Sequence, residues 1–195
     1  MARSAIHTIS TPQDRALEAS RQVALVVGAS FVVALCARIT IPLMPFTPVP
    51  LTVQNLGVLL VGLLLGSRRG FAALMLYLAE GAVGLPVFSP SAVGLTGIWQ
   101  LLGPTGGFLL AYPFVAYLAG YVFEHGSKTF VRAAVAGILA EILLFAGGLT
   151  GLYLYTHSLA KAAYLGVYWF VAAEVLKVMF AAAIATRWRR DAAKQ

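Results

Sequence analysis

Glu174 and Lys177 stand three residues apart in an apolar run, VYWFVAAEVLKVMFAAAIA, whose other residues compose a membrane-spanning helix. An ionised side chain at bilayer depth costs roughly 2.5 to 3.5 kcal/mol on insertion scales, so a segment that keeps two of them needs a compensating reason. Three residues of α-helix rise about 4.5 Å and turn to about 60° short of a full circle, which sets both groups on one face. They can pair with each other or share a ligand. Two further carboxylates, Glu141 within AGILAEILLFAG and Glu80 near the end of another apolar run, read first as structural. Each can be protonated, pair with Lys177 or Arg38, or face a pocket. Arg38 itself reads as a cation that snorkels to the headgroups.

The other reactive residue types assemble no catalytic or metal centre. Cys36 is the single cysteine, and His7, His125 and His157 are far apart and flanked by loops. There is no GxxxxGK[ST] loop, no HExxH and no GxSxG elbow. No enzyme, no metal and no cofactor are expected, and any use of nucleotide has to come from another chain.

The elements that position these residues follow from composition. The chain is 60% hydrophobic and 11% charged, with a mean hydropathy of +0.86, whereas soluble domains are about one quarter charged. The fold class is therefore an all-α integral membrane protein. The net charge of +7 does not point to nucleic acid, because the basic residues are spaced between apolar segments with no aromatic-interleaved patch. Six segments, at about 23–42, 51–66, 70–85, 104–123, 130–153 and 163–186, predict six transmembrane helices, the second and third short for a span. Alternating sides places Arg3, Arg15, Arg21, Arg68, Arg69, Lys128, Arg132, Arg187, Arg189, Arg190 and Lys194 on one face, which the positive-inside rule makes cytoplasmic. The domain reading is a cytoplasmic N-terminal segment over 1–22, without a signal-peptide pattern, a membrane domain over 23–187 and a basic cytoplasmic tail over 188–195.

The expected outer loops are long and almost uncharged. Residues 42–55, PLMPFTPVPLTVQN, hold four prolines, which predicts a stiff extended backbone with no hydrogen-bonded ladder. Residues 81–107 mix Gly and Pro with Phe88, Trp99 and Gln100. Apolar, non-helical backbone at this depth is tolerated where protein buries it or where it lines a cavity, so both loops can roof an outward-facing pocket. A helix that starts just after the glycines of GPTGG, 103–107, would aim unsatisfied N–H groups at that pocket, a place for a carboxylate; close packing explains the glycines equally well. Small residues at four-residue spacing, Ser30 with Ala34, Gly62 with Gly66 and Gly147 with Gly151, allow helices to approach closely.

With these residues in view the sequence resembles the BioY family, the biotin-specific substrate-binding S components of energy-coupling factor (ECF) transporters, over residues 23–190. The matching pieces are TPVPLTVQ at 47–54 followed by Asn55 and Gly57, GSRRG at 66–70, GLPVFS at 84–89, GPTGG at 103–107, and the acidic-x-x-Lys pair Glu174 and Lys177. The resemblance implies an S-component-like six-helix bundle in the bacterial cytoplasmic membrane that captures biotin from the outer face. It also implies partners: a transmembrane coupling protein and two ATP-binding cassette ATPases, which alone use ATP. Some members of the family work, or at least bind, without that module.

The resemblance also distributes roles. A ureido ring has two N–H donors and one carbonyl acceptor, so Glu174 is assigned to a ureido N–H and Lys177 to the ureido oxygen, with a structural ion pair as the alternative. Gln54, or its neighbour Asn55, reaches the bicyclic ring or merely satisfies loop backbone. Phe88 and Trp99 wall the apolar face of the ligand or anchor at the bilayer interface. The acidic position is often Asp in relatives, and Glu174 is one methylene longer. Some relatives place an arginine two residues after GPTGG, where this chain has Leu109, so the biotin carboxylate must meet Thr105, backbone N–H groups of 103–108 including Gly106, or solvent. Ser30 and Ala34 match the helix-one face that meets the coupling protein, or they pack within the chain. Two rival functions stand beside this reading. An ion-coupled carrier for a small organic anion would use Glu174, Lys177 and Glu141 as a relay, but no convincing inverted repeat is seen. An assembly subunit leaves the uncharged loops without a purpose.

Overall fold

The computed structural model describes residues 12–192. Arg3, His7 and Lys194, and the outer parts of the expected N-terminal segment and tail, lie outside the described residues. The order is α1 (Pro12–Arg38), β1 (Thr40–Ile41), β2 (Leu51–Thr52), α2 (Gln54–Leu65), α3 (Ser67–Ala82), α4 (Ile98–Leu101), α5 (Gly106–Glu124), α6 (Phe130–Thr156), α7 (Leu159–Ala163), a π-helical turn (Tyr164–Tyr168) and α8 (Val171–Ala192).

The chain is a helical membrane protein, as its composition requires. By length and composition α1, α5 and α6 can each cross a bilayer, and the segment from Leu159 to Arg189 is a fourth span if its two parts, bent by 44°, count as one. The expected second and third spans fold as helices of 12 and 16 residues, about 18 and 24 Å long, against a hydrocarbon core of about 30 Å. Large apolar side chains point outward, Phe31 and Phe180 each 62% exposed. Such a surface aggregates in water, whereas acyl chains solvate it as readily as a protein interior does.

At the centre is α5, packed most extensively on α6 and then on α3 and α2. Glycine makes these approaches possible. A Cβ on Gly62 would lie 3.0 Å from Ala116 Cα, and one on Gly107 would overlap the Gly147 carbonyl and lie 2.9 Å from Gly151 Cα. Ser30 and Ala34 also serve internal packing. Both are buried, and the Ser30 hydroxyl donates to Glu80, which corrects their assignment to a partner-facing surface. On α1 that outer surface carries Val23, Val27, Phe31 and Leu35 instead.

The proline-rich loop departs from expectation at its base. Thr40 pairs with Thr52 and Ile41 with Leu51 in a short antiparallel ladder. The prolines lie between these positions, so the residues that pair keep their N–H donors and are good strand formers.

Candidate ligand-binding site

The last span is not one straight helix. It breaks after the π-helical turn, and α8 restarts at Val171, which puts Glu174 in its first turn, with the backbone N–H donating to the Phe170 carbonyl at 2.9 Å. A helix start is a favourable seat for a carboxylate, because its unpaired N–H groups make that end positive. The sequence placed the pair in mid-helix because the single glycine of YLGVYWF, Gly166, is no stronger a signal than the glycines that unbroken transmembrane helices carry.

Around Glu174 four side chains from three helices join. Lys177 Nζ lies 2.7 Å from Glu174 Oε1, one turn along the same face. From α2, Asn55 Nδ2 donates to Glu174 Oε2 at 2.7 Å and to Glu141 Oε1 of α6 at 2.5 Å. Asn55, Glu141 and Glu174 are all at most 6% exposed. Asn55 Oδ1 and Glu141 Oε2 are buried without a partner. Two carboxylates thus share one amide, and the ammonium pairs with Glu174 alone. Glu141 belongs to this cluster, the second of the two readings its sequence position allowed, and not to helix packing alone.

Two loops cover the cluster, both anchored by side chains. The Thr47 hydroxyl donates to the Leu165 carbonyl at 2.7 Å and accepts from Val49 N–H at 3.1 Å, and Phe46 packs on Trp169 with ring centroids 5.2 Å apart. These contacts tie the proline loop to the π-helical turn. In the second loop Arg38 donates to the carbonyls of Pro86 and Phe88, the latter at 2.8 Å, and Gln100 donates to Ser89 O at 2.8 Å. Arg38 is therefore a clamp on loop backbone and not a snorkelling cation. Gln54 donates to Tyr77 Oη at 2.9 Å, and Tyr77 donates to Val87 O at 3.0 Å.

Between cluster and loops is a cavity of about 50 Å³ bordered by Pro50, Thr52, Gln54, Asn55, Ser89, Thr105, Leu109, Tyr112 and Glu174, with apolar walls from Phe108, Phe145 and Phe170. Of the sequence-derived site residues, the structure brings Gln54, Asn55, Thr105 and Glu174 to it. Lys177 is one shell back, behind Glu174. Gly106 starts α5 beside it, and a Cβ there would overlap the Leu101 carbonyl, so this glycine serves packing. Two assignments are corrected. Phe88 turns away into a notch over Gly81 and packs edge-on against Tyr77, centroids 5.3 Å apart. Trp99 is 65% exposed on α4. Their places are taken by the three phenylalanines of α5, α6 and the α8 approach, which carry no mark in the sequence beyond their apolar runs. No lysine or arginine borders the cavity among the described residues.

The fold and the site define a polytopic helical membrane protein with a buried polar cluster under loop cover, the arrangement of a small-molecule carrier component. The profile of the BioY family matches residues 7–194, and the chain belongs to that family. A relative from Rhizobium etli described as "Biotin transporter BioY" is 36% identical over 148 residues, 70% of this chain and 76% of the relative. Another from Thermotoga maritima with the same description is 34% identical, covering 75% of this chain and 84% of the relative. The crystal structure of "the S-component for biotin from an ECF-type ABC transporter" superposes with a TM-score of 0.78 at 23% identity, covering 89% of this chain and 93% of that one. The likeness extends to the whole bundle.

Proposed function

We propose that this protein captures biotin in the cavity at Glu174 and passes it across the bacterial cytoplasmic membrane as the substrate-binding subunit of an ECF-type transporter. The observation that carries the reading is the pairing of Glu174 with both Lys177 and Asn55 beneath a loop-covered cavity, in a chain of the BioY family. Glu174 accepts a ureido N–H. Lys177 reaches the ureido oxygen by swinging its ammonium from Glu174 Oε1 toward the cavity. Gln54 meets the edge of the bicycle, and Phe108, Phe145 and Phe170 hold its apolar faces. With Leu109 where a cation would sit, the carboxylate meets Thr105 and the N–H groups at the start of α5.

Small-molecule pockets usually measure about 300 Å³ or more, and this cavity of about 50 Å³ has room for only a few waters. Biotin therefore enters with movement of the loop cover, and the same movement enlarges the cavity around it. The proposed partners are a transmembrane coupling protein and two ATP-binding cassette ATPases, and the proposed topology puts the Arg68–Arg69 turn and both termini in the cytoplasm. ATP hydrolysis and any other catalysis belong to the partners.

A second reading has one observation in its favour. Two buried carboxylates bridged by one amide, with an ammonium on one of them, could relay a proton, as in an ion-coupled carrier. Uptake of labelled biotin into cells that cannot synthesise it separates the two. The ECF reading predicts accumulation that depends on the ATPases and persists when a protonophore collapses the gradient. Uptake abolished by the protonophore, with no need of any ATPase, favours the carrier.

A further inference from the structure

Asn55 has a buried amide with an uneven set of partners. Its Nδ2 donates to Glu174 Oε2 at 2.7 Å and to Glu141 Oε1 at 2.5 Å, while its Oδ1 has no partner. The side chain is 3% exposed and borders the cavity. An amide can usually rotate end for end at little cost, because its two ends are nearly the same shape. With both carboxylates ionised, rotation would set three acceptor oxygens against one another. The two carboxylates, one on α6 and one on α8, therefore fix which end of the amide is free. A buried acceptor left open beside a ligand cavity is costly unless the ligand fills it.

We propose that Glu141 is a positioning residue that locks the Asn55 amide so that its carbonyl oxygen accepts an N–H of the ligand, making the site selective for ligands with that donor. The ligand class rests on the biotin reading above, while the lock does not. Glu174 opposes the rotation through one oxygen and Glu141 adds a second, so the loss of Glu141 weakens the lock without abolishing it. A glutamine at 141 would undo the lock from the other direction, because its own NH2 can donate to Asn55 Oδ1 and occupy the acceptor. An aspartate keeps the carboxylate and should restore part of the effect.

Asn55 is the single asparagine of the chain, so asparagine-selective 15N labelling gives one side-chain NH2 pair. In the detergent-purified, monodisperse full chain, that pair is expected to exchange with solvent slowly, and at least about tenfold faster in Glu141→Ala. Equal exchange in the two proteins overturns the lock. In parallel, biotin and its two analogues methylated on one or the other ureido nitrogen are compared. One methyl position should lose affinity sharply in the wild type, and that penalty should shrink about tenfold in Glu141→Gln and recover in part in Glu141→Asp. An unchanged penalty in Glu141→Gln overturns the role in selectivity. A wild type with a slowly exchanging amide and no biotin binding contradicts the biotin reading and leaves the lock standing, so the two failures are told apart.

Discussion

Before ligand enters, Lys177 is held at Glu174 Oε1, 2.7 Å away. Removing it strands a carboxylate that is 6% exposed, and an unpaired buried charge is far more costly than the pair was favourable. Lys177→Ala is therefore expected to weaken biotin binding at least about tenfold, about 1.4 kcal/mol, with membrane insertion intact. Equilibrium dialysis checks this, and unchanged affinity would reduce the pair to structure. The tail makes a different prediction. Since no cationic side chain borders the cavity among the described residues, masking the biotin carboxylate as its methyl ester should cost less than about tenfold in affinity, measured by competition. The polar site was largely legible at this scale, because charge and amide side chains in apolar sequence stand out by their insertion cost: Gln54, Asn55 and Glu174 were found that way or by motif. Phe108, Phe145 and Phe170 were not, since an aromatic in an apolar run looks the same whether it faces ligand, core or lipid.

Among the elements, close helix approach and loop anchoring separate cleanly. Gly107 lets α5 lie against Gly147 and Gly151 of α6, so Gly107→Ala should separate the two helices and destabilise the protein by about 1 to 3 kcal/mol. A lowered thermal unfolding midpoint in detergent reports it. Thr47 joins the proline loop to the Leu165 carbonyl through one buried hydroxyl. Thr47→Val keeps shape but removes that bond, at about 1 kcal/mol. It should speed biotin release by about fivefold with little change in the association rate, read by chasing bound label with unlabelled vitamin. The glycine contact was visible in the sequence as four-residue spacing. The break before α8 was not, because one glycine, Gly166, in an apolar run does not distinguish a π turn from a continuous transmembrane helix, and the short ladder at Thr40 and Thr52 was hidden by the prolines it encloses.

For the whole molecule, composition alone gave the class, and the family follows from the order of five short motifs that individually mean little. Hydropathy marks α2 and α3 as separate short spans, and the structure folds both as helices shorter than the hydrocarbon core. If the basic residues set the topology as proposed, a cysteine introduced at Ser127, an exposed position beside Lys128, should resist membrane-impermeant thiol reagents in intact cells, and one introduced at Ser91 should react. The reverse pattern inverts the topology and puts the cavity on the wrong side for uptake. All of this depends on whether the cavity under the loops is a biotin site. Saturation binding of radiolabelled biotin to the purified chain, without any partner subunit, tests that most directly: the account predicts one saturable site with a dissociation constant below micromolar, and the absence of saturable binding below micromolar concentrations would contradict it.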